Sequence, residues 1–321
     1  MGKKHMINLE IRDYVIRYIE PKKGSSNEVE RMGEHFLPSG VIVDGVIEEK
    51  EAFKKIIQTC AKKWRLKRKS IRLSMPDSLV FIRKQMIPLD VPKDEVEKFI
   101  NFNLGETIHL PFEESIFETV YIRQLTDQHE VSLISTDRGV VDQYVELLDD
   151  VGLKVKVVDI SPLNYYRIFY HQDLVSEEDR FLLIQYHIDR VIFSAFVDHT
   201  PIFLQEFDLD SSEMVTNQLG PTMSKEDFNR DLVMEEFEEM NIEVERVERF
   251  YQMAMNEGEQ RFSKIAIVGD HPFLDQMIDR MEEGYETPIV YLDEDQLNGP
   301  KGMSLESKFH NVYGLALKGE R

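Results

Sequence analysis

Two stretches of this chain open in the same way about half a chain apart, and that recurrence limits the fold more than any other feature. In the first, Ile7-Asn8-Leu9-Glu10-Ile11 alternates apolar and polar residues. A turn follows near Arg12-Asp13, and Tyr14 to Glu20 reads as the returning strand. In the second, Phe181 to Tyr186 is an apolar strand that turns into Arg190 to Val197 and continues to Ile202 to Phe207. No shorter tandem repeat is visible. Single cores stop growing at roughly 250 to 300 residues, so one duplication within 321 residues predicts two lobes.

Between the two openings the pattern changes character. A loop rich in Gly, Ser and charge follows Glu20, and Leu37 to Ile47 reads as a short strand pair. Glu51 to Lys63 has helical apolar spacing, and strand Ser70 to Ser74 closes at Met75-Pro76-Asp77-Ser78. From Met86 there is an extended run to Val91, a helix opened by Pro92, strands Phe117 to Arg123 and Glu130 to Thr136, and helix Arg138 to Val151. The short strand Leu153 to Asp159 follows, and this block, 86 to 157, reads as an α+β unit of its own. A helix from Ser161 to Tyr170 returns to the first lobe. The second lobe then carries a charged helical stretch from Ser224 to Met255, strand Ile265 to Val268, helix Phe273 to Met281, strand Ile289 to Leu292 and a last helix from Phe309. The expected organisation is first lobe 1–85, inserted unit 86–157, return helix 158–179, second lobe 180–308 and closing helix 309–321.

Charge narrows the choice of partners. Sixty acidic residues against 39 basic ones give −21, which repels nucleic acid and anionic lipid over the whole surface, so any anionic partner must use a local patch. Six bases crowd into Lys62-Lys63-Trp64-Arg65-Leu66-Lys67-Arg68-Lys69, read either as a solvated helix end or as a contact for headgroups or an acidic partner. No apolar run reaches the roughly 18 to 20 residues of a spanning helix, and the first residues lack a signal-peptide core, so a cytoplasmic protein is expected. The single Cys60 has no CxxC partner or adjacent histidine and reads as a small residue on a helix face. P-loop, GxSxG, HExxH and GxGxxG motifs are absent, and the nine histidines lack metal-ligand spacing, so no catalytic or metal residues are assigned.

The order of motifs resembles the actin-like PilM-type family of type IV pilus machines, which is related to FtsA. Ile71-Arg72-Leu73-Ser74-Met75-Pro76-Asp77-Ser78 with Phe81, Arg83 and Ile87-Pro88 is similar to that family's V-x-L-S-x-P-D-S strand and its exit into an inserted subdomain. Leu37-Pro38 with Gly40, Asp44-Gly45 and Ile47 resembles its proline-glycine strand, and Leu110-Pro111-Phe112 and Val151-Gly152-Leu153 resemble the insert. Asn311-Val312-Tyr313-Gly314-Leu315-Ala316-Leu317 resembles the closing helix. The resemblance implies an α/β, bilobal actin-like fold, a duplicated ribonuclease-H-like core, with a small α+β subdomain inserted in the first lobe.

It also implies a nucleotide site between the two hairpin turns, and here the chain departs from the pattern. The acid and glycine positions of the first hairpin fall on Glu10 and Arg12, those of the second on Gln185 and His187, and the third phosphate contact on Gly269-Asp270. Bulky residues forced into a glycine conformation cost about 1 to 3 kcal/mol each, and a neutral Gln185 removes a charged magnesium partner, so three such losses together weaken nucleotide binding by about 3 to 9 kcal/mol, roughly two to six decades. No cofactor is therefore expected, with weak ATP and magnesium binding left open through Arg12, His187 and Glu10. The resemblance further implies a scaffold rather than an enzyme, at the inner face of the membrane in a pilus or competence-type machine. Its expected partner is the N-terminal cytoplasmic tail of a PilN-like inner-membrane protein, with contact to the machine's assembly ATPase and self-association as further possibilities. Nucleic acid is not expected, and membrane is met only through partners. The alternative is a working actin-like ATPase that switches or polymerises with ATP.

Overall fold

The computed structural model describes residues 6–25, 28–210, 224–255 and 260–319. In chain order, β1 (Ile7–Ile11), β2 (Val15–Pro21) and β3 (Val29–Phe36) form an antiparallel meander, followed by the small hairpin β4 (Ile42–Val43) and β5 (Val46–Ile47). Helix α1 (Lys50–Lys63) leads to β6 (Ser70–Ser74), which returns parallel to β1 with Leu73 opposite Leu9. Then come β7 (Val80–Pro88), α2 (Val96–Asn103), β8 (Ser115–Gln124), β9 (Gln128–Asp137), α3 (Arg138–Asp150), β10 (Lys154–Asp159) and α4 (Ser161–His171). The second half repeats the opening as β11 (Arg180–Tyr186), β12 (Arg190–Val197) and β13 (Thr200–Asp208). It continues with α5 (Arg230–Phe250), β14 (Lys264–Gly269), α6 (Leu274–Gly284) and α7 (His310–Ala316).

The two main sheets repeat one topology. The first is ordered β10-β6-β1-β2-β3 and the second β14-β11-β12-β13, so each lobe is a three-stranded meander whose first strand also pairs with a later parallel strand. Strands β1 and β2 are buried along their whole length, as expected of a sheet covered by helices on both faces. In the first lobe α1 and α3 pack Phe53, Ile57, Val141, Tyr144 and Leu148 on one face. The second lobe's sheet takes Val233, Phe237, Val244 and Met277 from α5 and α6.

Helix α4 sits between the lobes. Its Tyr165, Tyr166 and Phe169 pack on the second sheet beside Phe181, Phe196 and Val268, although the sequence assigns it to the first lobe alone. Its other side meets α7 so closely that a Cβ on Gly314 would lie 1.9 Å from the Asn164 carbonyl oxygen, so only glycine permits this crossing. Helix α7 also lies against β1, β2 and β6 of the first sheet.

The inserted unit differs in extent from the 86–157 expectation. Its three-stranded sheet, β7-β9-β8, starts at Val80, and with α2 it encloses a small core of Ile87, Val96, Ile100, Val131 and Leu133. Helix α3 instead buries its apolar face in the first lobe, and β10 pairs in parallel with β6. Strand β3 occupies part of the segment read as a loop. The expected strand at Ile289–Leu292 is reduced to a bridge between Ile289 and Ile265.

Candidate functional site

Six backbone ends converge between the lobes. They are the β1–β2 turn, the β11–β12 turn, the end of β14, the single helical turn Asp77–Leu79 and the starts of α4 and α7. Each sequence-predicted position, Glu10, Arg12, Gln185, His187, Gly269 and Asp270, arrives at this cleft. A close approach explains the glycine: Gly269 has φ +142°, and a Cβ there would meet the Tyr186 carbonyl at 1.9 Å.

What fills the cleft is a network of the chain's own side chains. The Asp270 carboxylate, 1% exposed, receives Arg17 Nη2 at 2.7 Å, the Tyr14 hydroxyl at 2.7 Å and His187 Nδ1 at 2.9 Å. Glu10 accepts Arg12 Nε at 2.6 Å and Asn311 Nδ2 at 2.6 Å, with Arg17 Nη1 3.9 Å away. Asp77 accepts both the backbone N–H and the hydroxyl of Ser161, at 3.1 and 2.6 Å, and that hydroxyl also meets Gln185 Oε1. Arg12 reaches within 3.7 Å of Asp77. Burial alone would push the Asp270 carboxyl up, but Arg17, then His187 and Arg12, hold it well below the usual carboxylate range. The same burial opposes the Arg12 charge, and Glu10, Tyr14 and Asp77 more than offset it. Arg17 is likewise kept charged, chiefly by Asp270 and Glu10 against desolvation.

Arg17, Tyr14, Asp77, Ser161 and Asn311 were not foreseen as site residues. Arg17 left a readable trace, since it interrupts an apolar strand directly opposite Glu10 in the hairpin register. Asp77 and Asn311 stand inside quoted motifs, but nothing local showed that they reach the cleft, because their roles exist only once the lobes close.

A second interlobe cluster surrounds Arg190. Its guanidinium lies 3.1 Å from Asp189, 3.2 Å from Glu206 and 3.3 Å from Asp13, with Asp44 and Asp208 at 3.8 Å. Desolvation first, then Asp189, push the Asp13 carboxyl up to about 6, against the pull of Arg190. Among the described residues no group of three or more His, Cys, Asp or Glu could hold a metal ion.

The family model of the type IV pilus assembly protein PilM matches residues 9–207. The chain belongs to the PilM family. None of the curated proteins matches it. Among solved structures, a PilM-PilN type IV pilus biogenesis complex superposes with a TM-score of 0.75 at 18% identity, covering 99% of each chain. The ethanolamine utilization protein EutJ from Carboxydothermus hydrogenoformans follows at 0.56 and 10% identity, over 99% of this chain and 91% of that one. The bilobal actin-like fold is therefore shared, with the PilM insert in the first lobe.

This PilM-family chain also carries a groove away from the cleft. Strand β10 is the edge of the first sheet and β8 the edge of the insert's sheet, with a cavity of about 470 Å³ between them. Its wall is mainly apolar, with Val80, Ile116, Ile134, Val158 and Leu163, and Lys156, Asp159 and Lys318 add charge at the rim. Among the described residues no strand pairs with the outer edge of β10. No helix there is long and apolar enough to cross a membrane.

Proposed function

We propose that this protein is a cytoplasmic scaffold of a type IV pilus or competence-type machine, held at the inner face of the membrane by the N-terminal tail of a PilN-like protein, and that it does not hydrolyse ATP. The carrying observation is the contrast between a cleft filled by the chain's own buried charges and an open groove beside β10. The likeness to a PilM-PilN complex supports the choice of partner.

The groove suits an extended peptide. An unpaired strand edge offers main-chain donors and acceptors, and alternate side chains of an added strand would drop onto Val158 and Ile116. The tail orders as it binds, so affinity per unit area is modest; Lys318 is already paired with Asp159 at 3.0 Å and Glu118 shares the lining with Lys156, so the apolar wall rather than charge selects the peptide. The cleft suits a nucleotide poorly. Asp270 sets a carboxylate among the donors a phosphate would need, and Glu10 is engaged by Arg12 and Asn311 rather than free for a metal-bound water.

A synthetic peptide copying the partner tail should bind saturably, and no binding at about 100 µM, near the −5.5 kcal/mol level, would remove the partner. In the same preparation, magnesium and ATP should leave the melting temperature unchanged. A ligand at 100 times its Kd adds about 2.7 kcal/mol, a shift of several degrees, so binding is easily seen. One observation favours the second reading, an ATP-responsive protein. Arg12 Nη2, Glu10 Oε2 and Gln185 Nε2 are buried in the cleft with no hydrogen-bond partner among the described residues. A saturable shift with phosphate release would establish it.

A further inference from the structure

The described chain has a basic pole that neither the cleft nor the groove uses. Residues 1–75 hold 17 Lys and Arg against 10 Asp and Glu, a net of +7 inside a chain of −21. The topology gathers much of that charge at one end of the first sheet, where β6 and β10 begin and β2 ends.

The turn between α1 and β6 is built to present cations. Trp64 and Leu66 are buried beneath it, while Lys62, Lys63, Arg65, Lys67 and Arg68 point outward and are exposed. The backbone is pinned: the Trp64, Arg65 and Leu66 N–H groups bond to the Cys60, Lys62 and Ala61 carbonyls, and the Arg68 N–H bonds to the Gly152 carbonyl. Arg65 and Arg68 hold φ of +59° and +62°, a conformation that side-chain-bearing residues seldom adopt. Lys22, Lys23 and Lys154 flank the turn, also exposed. None of the five turn cations makes an ion pair among the described residues, although the chain carries 60 acids. The acids nearby are occupied, Glu20 by Arg31 and Lys69, Glu28 by Lys22 and Asp150 by Lys54, leaving Glu30 and Asp149 exposed.

We infer that this pole is a direct docking surface for an anionic lipid bilayer. The layout selects that partner over the other anions. Single-stranded nucleic acid needs exposed aromatic platforms, and Trp64 is buried under Tyr18. A protein partner needs an apolar centre, and Val43, in the β4–β5 hairpin near Asp44, is the sole exposed large apolar residue in the described part of 1–75. What remains is dispersed charge on a firm backbone, the complement of a fluid negative surface. The acidic remainder does not veto this, because charges more than about 8 Å from the membrane are largely screened at physiological salt. Direct contact goes beyond the expectation that membrane is met only through partners, and it stands without the peptide reading.

The test is sedimentation of the full-length protein with vesicles, no partner present. It should partition onto vesicles of phosphatidylcholine mixed with phosphatidylglycerol, not onto phosphatidylcholine alone, and should release as salt rises. Each basic residue near an anionic surface is worth about 1 kcal/mol, or about fivefold. Lys62→Gln with Lys63→Gln should thus weaken partitioning about 25-fold. Adding Arg65→Asn, Lys67→Gln and Arg68→Asn should abolish it, with melting temperature unchanged. Neutralising Lys98, Lys225 and Arg280, exposed elsewhere, should leave it intact. Absent binding of the parent protein at low salt, or equal binding by the Lys62/Lys63 pair variant, overturns the inference. So does binding, through the same residues, of an acidic polypeptide or an oligonucleotide but not of vesicles.

Discussion

The interlobe cleft and the groove beside β10 are both made where strands end or run out of neighbours, yet they treat polar groups in opposite ways. In the cleft, Asp270, Glu10 and Asp77 are each met by donors from other elements, and side chains less than a tenth exposed neutralise one another across the lobes. Along β10 the outer main-chain groups have no strand to pair with among the described residues, and the wall facing them is mainly apolar. A site whose charges are already partnered gains little from a ligand, because binding must first break those pairs. A bare edge beside an apolar wall gains both hydrogen bonds and burial. On the proposed reading the demand for a ligand lies at the groove.

The sharpest way to break that contrast is to remove the anion at the centre of the cleft. Asp270→Ala leaves Arg17, Tyr14 and His187 without their common acceptor at a fully buried point, and stripping one partner from such a network costs about 3 to 5 kcal/mol. Urea unfolding should show that loss as a lower midpoint with an unchanged slope. The double change Arg17→Met with Asp270→Leu should recover only part of it, since it removes one buried ion pair but still leaves Tyr14 and His187 without their acceptor. Inorganic phosphate should stabilise Asp270→Ala and not the parent. A loss below about 1 kcal/mol would mean that the network does not hold the lobes and the cleft is easily opened.

The cleft's surroundings should also make stability depend on pH, with opposing parts. His271, packed among Tyr186, Phe228 and Phe273, is pushed down to about 4, chiefly by burial, and His310 is pushed to about 4 by the same cause. A base buried neutral stabilises the fold above its ordinary value near 6.5. That stability is lost as pH falls from 6.5 toward 4, about 3 kcal/mol for each histidine. Asp13 runs the other way. Its raised value of about 6 gives stability that is complete below its ordinary 3.8 and disappears as pH rises through 6, again about 3 kcal/mol. Going from pH 7 to pH 4, two losses and one gain leave a net loss of about 3 kcal/mol. Asp13→Asn should be more stable than the parent at pH 7, and its advantage should vanish at pH 4. An advantage of equal size at both values would show that Asp13 is not held in the desolvated setting it has beside Asp189 and Arg190.

Much of the fold was legible because it rests on local patterns. The alternation of Ile7 to Ile11, the strand Ser70–Ser74 and the helix α1 emerge with bounds within a residue of expectation. Strand β3 escaped because Val29 to Phe36 contains Glu30, Arg31, Gly33 and Glu34. An edge strand with most of its side chains partly exposed can carry charges that disguise the period. The insert's limits were misjudged for a different reason. Helix α3 and β10 follow the insert in sequence but join the first lobe's core, and sequence pattern reports an element rather than its neighbours. At the cleft, alignment of turn positions found the residues that replace glycine and aspartate. It could not show that Asp270 would be captured by Arg17 and Tyr14, a contact spanning some 250 positions.

The gentlest test addresses the groove and should leave the chain folded. Val158 and Ile116 face the cavity from β10 and β8, both partly buried at the margin of the first lobe's core, so Val158→Asp or Ile116→Lys places a charge at the wall at some cost in packing. Stability should fall by about 1 kcal/mol, which leaves the fold intact. Affinity for the partner tail should fall about tenfold or more, because an apolar side chain of the peptide would then lie against an unpaired charge; 1.4 kcal/mol is enough for tenfold. Fluorescence anisotropy with a labelled peptide reads the change, and Asp270→Asn in the same assay should bind like the parent, since it is buried in the cleft. If the groove variants bind normally while the cleft variant fails, peptide capture depends on how the lobes close, and the separation between the two sites collapses.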